Sequence, residues 1–190
     1  MSGHGFHVHG PHDHAVEHGS QSGDNFASRI AVMTAVLSTV GALFSYSGGA
    51  TQNDAMLMKN AAAIKKTEAA NQWNYYQAKS NKQNLAELSV SLSPDANKAK
   101  YQQDVERYRA EKAEIKAAAE KLEAESKAFE QKSDDAMHLH HRWAQAMTAI
   151  QVAISLAAVS LLTRRRWLNY ATWLAAGAGV ALGGAALAHL

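Results

Sequence analysis

The chain has no cysteine among its 190 residues. Disulfides, thiolate catalysis and cysteine zinc sites are therefore excluded, although the redox compartment stays open. Proline is nearly as scarce, since only Pro11 and Pro94 occur, and few positions oppose helix formation. A dominant charge is also lacking, because 19 Lys and Arg residues face 17 Asp and Glu residues. No nucleic-acid partner is expected, since the basic residues lie in mixed-sign stretches and form no separate basic face.

Charged side chains are missing from three apolar stretches, at residues 30–50, 144–163 and 167–190, where His189 is the only residue among Asp, Glu, Lys, Arg and His. Each is about 20 residues long or slightly more, which is the length that a helix needs to cross a bilayer. We predict transmembrane helices over 28–50, 144–163 and 167–190. Buried core helices are the alternative, but the rest of the chain has little apolar surface to surround them. Cleavage of the first stretch as a signal peptide is disfavoured by the long, His-rich segment before it.

Three consecutive arginines, Arg164, Arg165 and Arg166, separate the second and third apolar stretches. Positive residues in short loops favour the cytoplasmic side, so we predict a cytoplasmic loop at 164–166. The N-terminus would then be cytoplasmic, and residues 51–143 would lie on the outer side of the membrane. Lys59, which follows the first stretch closely, opposes this orientation.

Residues 51–143 are polar and contain one strong helix break, SLSPD at 91–95. Pro94 suits a first helical turn, and Asp95 suits the positive end of a helix dipole. Heptads on both sides predict an antiparallel coiled coil, in which 71–76 face roughly 111–118. The predicted seam of the second arm combines Tyr101, Tyr108, Ile115, Leu122, Phe129, Ala136 and Trp143 with Val105, Lys112, Ala119, Ser126, Ser133 and His140. The predicted seam of the first arm contains Leu57, Ile64, Asn71, Ala78, Leu85 and Leu92. The predicted fold class is therefore an all-α membrane protein with three transmembrane helices and a coiled-coil hairpin between the first and second.

The N-terminal segment, residues 1–27, is rich in histidine. Three interpretations stay open for it: a site for Zn, Cu or Ni, a solvated tail without a role, or a tether that responds to pH or to anionic lipid. The candidate metal ligands are His4, His7, His9, His12, His14 and His18.

Polar and small residues near the predicted spans give three further candidate sites. His138, His141 and Arg142 lie within one helical turn, beside the seam residue His140. Three interpretations stay open: an interfacial anchor, a proton-sensitive seam residue at His140, or a metal site that His138 and His141 share with a neighbouring subunit. Gln151, with Thr148 and Ser155, would bond another helix or line a pore. Gly179 and Gly183 allow close helix packing, within one chain or between chains.

Two stretches, QWNYYQAKSNK at 72–82 and IQVAISLAAVSLLTRRR at 150–166, together with the His-rich start, resemble the bacterial domain-of-unknown-function 4337 family. The resemblance covers most of the chain and implies an inner-membrane protein with three spans and a helical insert. It implies no activity, so no functional residue is transferred from it.

No phosphate-binding loop, paired nucleophile and base, or carboxylate pair at membrane depth is present, so we expect a non-catalytic protein. The leading hypothesis is an inner-membrane scaffold that assembles through its coiled coil, with copies of itself or as an accessory subunit of a membrane complex. An oligomeric channel or transporter and a metal-handling protein are the alternatives. The expected partners are the lipid bilayer, further copies of the chain and other membrane proteins.

Overall fold

A computed structural model describes residues 25–188, and this part of the chain is built from three helices. They are α1 (Asn25–Leu92), α2 (Asp95–Thr163) and α3 (Arg166–Leu187). No strand occurs between residues 25 and 188, which confirms the prediction of an all-helical fold.

Each helix is long enough, and contains a segment apolar enough, to cross a membrane on length and composition alone. α1 and α2 have 68 and 69 residues, whereas a bilayer core needs about 20. Most of α1 and most of α2 therefore lie beyond their apolar segments. This surplus is the polar middle of the sequence.

The chain divides into two compact units. The hairpin unit is Asp54–Asp135, and the three-helix unit comprises the other described residues, 25–53 and 136–188. The hairpin unit is thus somewhat shorter than the predicted segment 51–143, and its last residue, Asp135, precedes the histidine cluster. His138, His141 and Arg142 belong to the three-helix unit.

The turn of the hairpin consists of Ser93 and Pro94, within the predicted break. The Ser93 N–H donates to the Ser89 carbonyl at 3.0 Å and continues the last turn of α1. Pro94 has no N–H, and its carbonyl accepts from the Asn97 N–H at 3.0 Å. Asp95 then opens α2 with a negative charge that favours the helix N-terminus.

The hairpin seam is built from small residues that repeat every seven positions. Ala55, Ala62 and Ala69 are buried on α1, and Ala119 is among the small buried residues that face them from α2. Side chains this small let the helices approach closely. Two serines of α2 consequently reach the main chain of α1: Ser133 Oγ donates to the Ala55 carbonyl and Ser126 Oγ to the Ala62 carbonyl, each at 2.9 Å.

The predicted seam of the second arm is confirmed. Its members are buried or half-buried along α2, including Val105, Ile115 and Ser126. The predicted register is also confirmed, because Lys112 Nζ lies 5.0 Å from the centre of the Tyr76 ring and Lys79 pairs with Glu111.

The predicted seam of the first arm is wrong. Its six members are all exposed: Leu57, Ile64, Asn71, Ala78, Leu85 and Leu92. The physical reason is close packing: α2 fits against alanine positions two residues earlier, which leave room for its larger side chains. The bulky residues of α1 are therefore turned away from α2.

The three-helix unit has an apolar core from all three helices, built around Leu37, Ile150, Ala153, Ile154 and Ala176. α2 and α3 are joined by Arg164 and Arg165, since Arg166 already belongs to α3. The predicted loop 164–166 is thus one residue shorter. Arg164 has a φ of 53°, a left-handed conformation that turns the chain sharply between the two helices.

Candidate functional site: the uncharged face of the hairpin

A second heptad series runs along α1 within the hairpin unit and its turn. We call it the uncharged face, and every one of its positions is exposed. Its members are three and four residues apart, which is the spacing of a coiled-coil seam. The uncharged face consists of Leu57, Asn60, Ile64, Thr67, Asn71, Asn74, Ala78, Asn81, Leu85, Leu88 and Leu92.

The uncharged face points away from α2. Its members follow the buried seam residues by two positions, as Leu57 follows Ala55 and Ile64 follows Ala62. Two residues correspond to about 200° around a helix, so the two seams lie on opposite sides of α1. One helix therefore carries one satisfied coiled-coil seam and one without a partner in the described chain.

Large apolar side chains make up the two ends of the uncharged face. Leu57 and Ile64 are 54% and 59% exposed at one end, and Leu85 and Leu92 are 64% and 76% exposed at the other. Single exposed leucines are ordinary, but an aligned series of them marks an interaction surface. The polar positions between them are asparagine and threonine, so no charged group interrupts the series.

The outward face of α2 is different in chemistry. The corresponding positions, two residues after the buried seam, include Arg107, Glu114, Lys121 and Asp135, and all four are exposed. Charges of both signs at these positions keep this side of α2 in contact with water. Within the hairpin unit, only α1 presents a heptad face that is free of charge.

Ion pairs cross between the arms at the edges of the buried seam. Lys59 Nζ lies 2.8 Å from Glu130 Oε1, and Lys65 Nζ lies 3.2 Å from Glu125 Oε2. Trp73 Nε1 also donates to Glu123 Oε1 at 2.8 Å. Glu123 and Glu125 thus bind side chains of α1, although each is also spaced to form an ion pair with a lysine of α2. These contacts between the arms lie on the side of α1 that faces α2, away from the uncharged face.

A polar cluster in the hairpin surrounds Lys79. Its Nζ lies 2.5 Å from Glu111 Oε2, and it is 5.2 Å and 5.6 Å from the ring centres of Tyr75 and Tyr108. The hydrogen bond from Lys79 lowers the pKa of Glu111 and raises that of Lys79. This cluster joins the two arms, and it offers no nucleophile paired with a base.

The predicted histidine cluster lies on the exposed surface of α2. His138, His141 and Arg142 are exposed, and no group of three or more metal-ligating side chains occurs within residues 25–188. His140, the seam residue, instead contacts α1, with Nδ1 2.8 Å from the Gly48 carbonyl. A carbonyl only accepts, so Nδ1 carries the proton. The tail ligands His4, His7, His9, His12, His14 and His18 lie outside the described residues.

The predicted intramembrane polar residues lie close together. Gln151, Thr148 and Ser155 are exposed on α2, and Ser155 Oγ donates to the Gln151 carbonyl at 2.9 Å. A shallow groove beside Gln151 and Ser155 is completed by Ser38 and Ser45 of α1. Thr148 Oγ1 bonds the Ala144 carbonyl of its own helix at 2.8 Å.

The two predicted packing glycines are buried at contacts of α3 with other helices. A Cβ added to Gly183 would overlap the ring of Phe44, and one on Gly179 would lie 2.8 Å from Ile150 Cδ1. Both positions therefore require the absence of a side chain. Arg164, Arg165 and Arg166 are exposed around the α2–α3 connection.

The sequence pattern identifies six of the eleven members of the uncharged face but assigns them to the contact with α2. It did not find Asn60, Thr67, Asn74, Asn81 and Leu88. The signal that reveals them is the absence of charge at every third or fourth position across five heptads. The alanine seam was missed because alanine is common throughout the chain.

The described chain defines the class of protein: an all-helical protein with a long helical hairpin and three helices that could each cross a membrane. A family model described as "Domain of unknown function (DUF4337)" matches residues 26–189. The chain belongs to this family. A search of curated proteins and a search of solved structures each found no match.

Proposed function

We propose that this protein is a non-catalytic membrane scaffold. Its apolar helices anchor it in a bacterial inner membrane, and its hairpin, outside the bilayer, assembles with other protein chains. The observation that carries the proposal is the uncharged face: an exposed, heptad-spaced, charge-free surface is suited to pairing with another helix.

Membrane anchoring is supported by the three apolar helical segments. Many large side chains of the three-helix unit are exposed, among them Val32, Leu43, Leu162 and Leu174. Such side chains would be costly in water, whereas lipid would solvate them. The three arginines at 164–166 favour the cytoplasmic side, so the hairpin would lie in the periplasm.

The assembly proposal is tested by extracting the protein gently from its own membranes and measuring the mass of the intact particles. A discrete complex, with copies of the chain or with other subunits, is expected. A strict monomer that co-purifies with nothing would refute the proposal.

Orientation is tested with Ser93→Cys, which adds the chain's only thiol at the half-buried hairpin turn. A membrane-impermeant maleimide should label intact spheroplasts. Thr163→Cys is a matched control, because it lies beside the arginine loop and should be labelled only after permeabilisation. The reverse pattern would place the hairpin in the cytoplasm.

A second candidate function is an oligomeric channel, favoured by the groove that joins Gln151 and Ser155 to two serines of α1. Uncharged polar groups at membrane depth suit a water-filled path. Reconstituted bilayers should then show a conductance that Gln151→Leu alters. Bilayers that show no conductance with the wild-type protein would refute this candidate function.

A further inference from the structure

We infer that the partner of the uncharged face is a second copy of this chain, with the two α1 helices forming a parallel two-stranded coiled coil over residues 57–92. This inference rests on the proposed function, because two copies inserted in one membrane with the same topology have α1 helices that run in the same direction. It adds the identity, orientation and register of the partner.

The absence of charge makes the face compatible with itself. In a parallel pair each residue meets its own counterpart, so any charge in the seam would face a like charge. The eleven positions contain none. Four of them are asparagines, and an asparagine amide both donates and accepts hydrogen bonds, so it can pair with an identical amide.

The positions that flank the seam also fit a parallel pair. A flanking residue contacts the partner's residue five positions earlier in the sequence. Glu68 would then face Ala63, and Lys82 would face Gln77. Neither contact opposes two charges of the same sign.

Asn71 sets the register. It occupies the same heptad position as Leu57, Ile64, Ala78 and Leu85, and a single asparagine among apolar residues selects one alignment in parallel dimers. A shift by one heptad would place the amide of Asn71 against Ile64 or Ala78 and leave it without a hydrogen-bond partner. Only the aligned pair brings the two copies of Asn71 together.

The size of the face is sufficient for association. Residues 57–92 extend for about 54 Å along the helix, at about 1.5 Å per residue. The leucines at both ends supply the apolar area that drives pairing, and the asparagines between them supply specificity.

The outward face of α2 is a poor alternative partner. It would bring Arg107, Glu114 and Lys121 against a surface that offers no opposite charge. Burying charges without partners is costly, so α1 pairs with α1 and leaves α2 in contact with water.

Cysteine cross-linking of the full-length protein tests the inference, because the natural chain has no thiol. Asn60→Cys lies on the uncharged face, and Ala128→Cys is a matched control on the outward face of α2, opposite Asn60 in the hairpin. Both positions are exposed. In native membranes, a short bifunctional maleimide should join Asn60→Cys chains into dimers but not Ala128→Cys chains.

The location of Asn60 also tests the orientation. It lies near one end of the face, so two copies of Asn60→Cys meet only if the helices are parallel. Equal cross-linking at Ala128→Cys, or no dimer at Asn60→Cys, would overturn the inference. An antiparallel pair would instead join Asn60→Cys to Leu92→Cys in mixed samples, and this result would also overturn it.

A second variant tests directly whether the uncharged face is needed for dimerisation. Ile64→Lys places two like charges opposite each other in the dimer, so cross-linking of Asn60→Cys should fall by about tenfold or more. Ala124→Lys is the control at the same level of the hairpin on α2, and it should leave the yield unchanged. Because residue 64 is exposed, circular dichroism should report unchanged helix content.

The outcomes separate this inference from the proposed function. If Asn60→Cys is cross-linked to a foreign protein, and Ile64→Lys releases that protein, the scaffold proposal is supported. The inference that the partner is a second copy of this chain is then wrong. If the chain is a monomer bound to nothing, both are wrong. A parallel dimer of the chain supports both.

Discussion

The hydroxyl of Ser133 donates a hydrogen bond to the main-chain carbonyl of Ala55, and the same contact recurs seven residues away between Ser126 and Ala62. Each carbonyl belongs to the helical main chain of α1, so the serines bind the backbone rather than a side chain. Such contacts form only where the two helices are close. The hairpin is therefore stabilised by small residues, and its stability should be sensitive to added volume.

Ala62→Leu should destabilise the hairpin. Added methyl and methylene groups would push the two helices apart, and overpacking typically costs about 1–3 kcal/mol. Ala63→Leu is the matched control, because residue 63 is exposed and leucine is nearly as good a helix former as alanine. Hydrogen exchange of hairpin amides should accelerate in the first variant only. Equal exchange in both would contradict the close-packed seam.

The combined change Ser126→Ala and Ser133→Ala should weaken the hairpin by a smaller amount. Each lost hydrogen bond typically contributes about 0.5–1.5 kcal/mol, while alanine fits the seam without strain. The control is Ser80→Ala with Ser89→Ala, which changes two serines of α1 instead. A urea titration followed by circular dichroism should show a lower midpoint for the seam variant. A midpoint equal to that of the control would show that the two bonds to Ala55 and Ala62 are dispensable.

Gly183→Ala should disturb the three-helix unit. The new methyl group would overlap the ring of Phe44, so the ring or α3 must move. The adjacent Gly184 has nothing within 4 Å of the same position, so Gly184→Ala should be neutral or stabilising. Thermal stability in detergent should fall for the first variant alone. A fall of the same size for Gly184→Ala would contradict the contact with Phe44.

Glu111→Gln should lower hairpin stability at neutral pH and have little effect in acid. Lys79 holds the pKa of Glu111 below its ordinary value. The carboxylate therefore stabilises the fold at pH values above that ordinary pKa. The contribution is lost as pH falls through the lowered pKa. Urea midpoints of the wild type and the variant should therefore differ at about pH 7 and converge once the pH falls below the lowered pKa of Glu111. Glu114→Gln, on the outward face, should not reproduce this pattern.

The seam of the second arm could be predicted from its sequence. Residues such as Val105, Ile115 and Ser126 belong to two series that repeat every seven positions, and one heptad assignment fits the sequence better than any other. The break at Pro94 was equally readable, since proline and the following aspartate both suit a helix start. Both features depend on residues that are near each other in the sequence, so the sequence pattern is sufficient to predict them.

The buried seam of α1 could not be predicted in the same way. Two heptad series compete on this helix, one of alanines through Ala55, Ala62 and Ala69, and one of bulky residues through Leu57 and Ile64. Hydrophobicity favours the second series, but the close approach of α2 selects the first. Which series is buried depends on the shape of the opposing helix, and this information is not contained in α1.

The separation of the two seams by about 200° on α1 has an evolutionary consequence. A substitution at Leu57 or Ile64 leaves the contacts of Ala55 and Ala62 untouched, so binding specificity can drift without loss of the fold. Related chains could exchange one set of partners for another through the outward residues alone. The alanine and serine positions would meanwhile stay under constant selection for foldability.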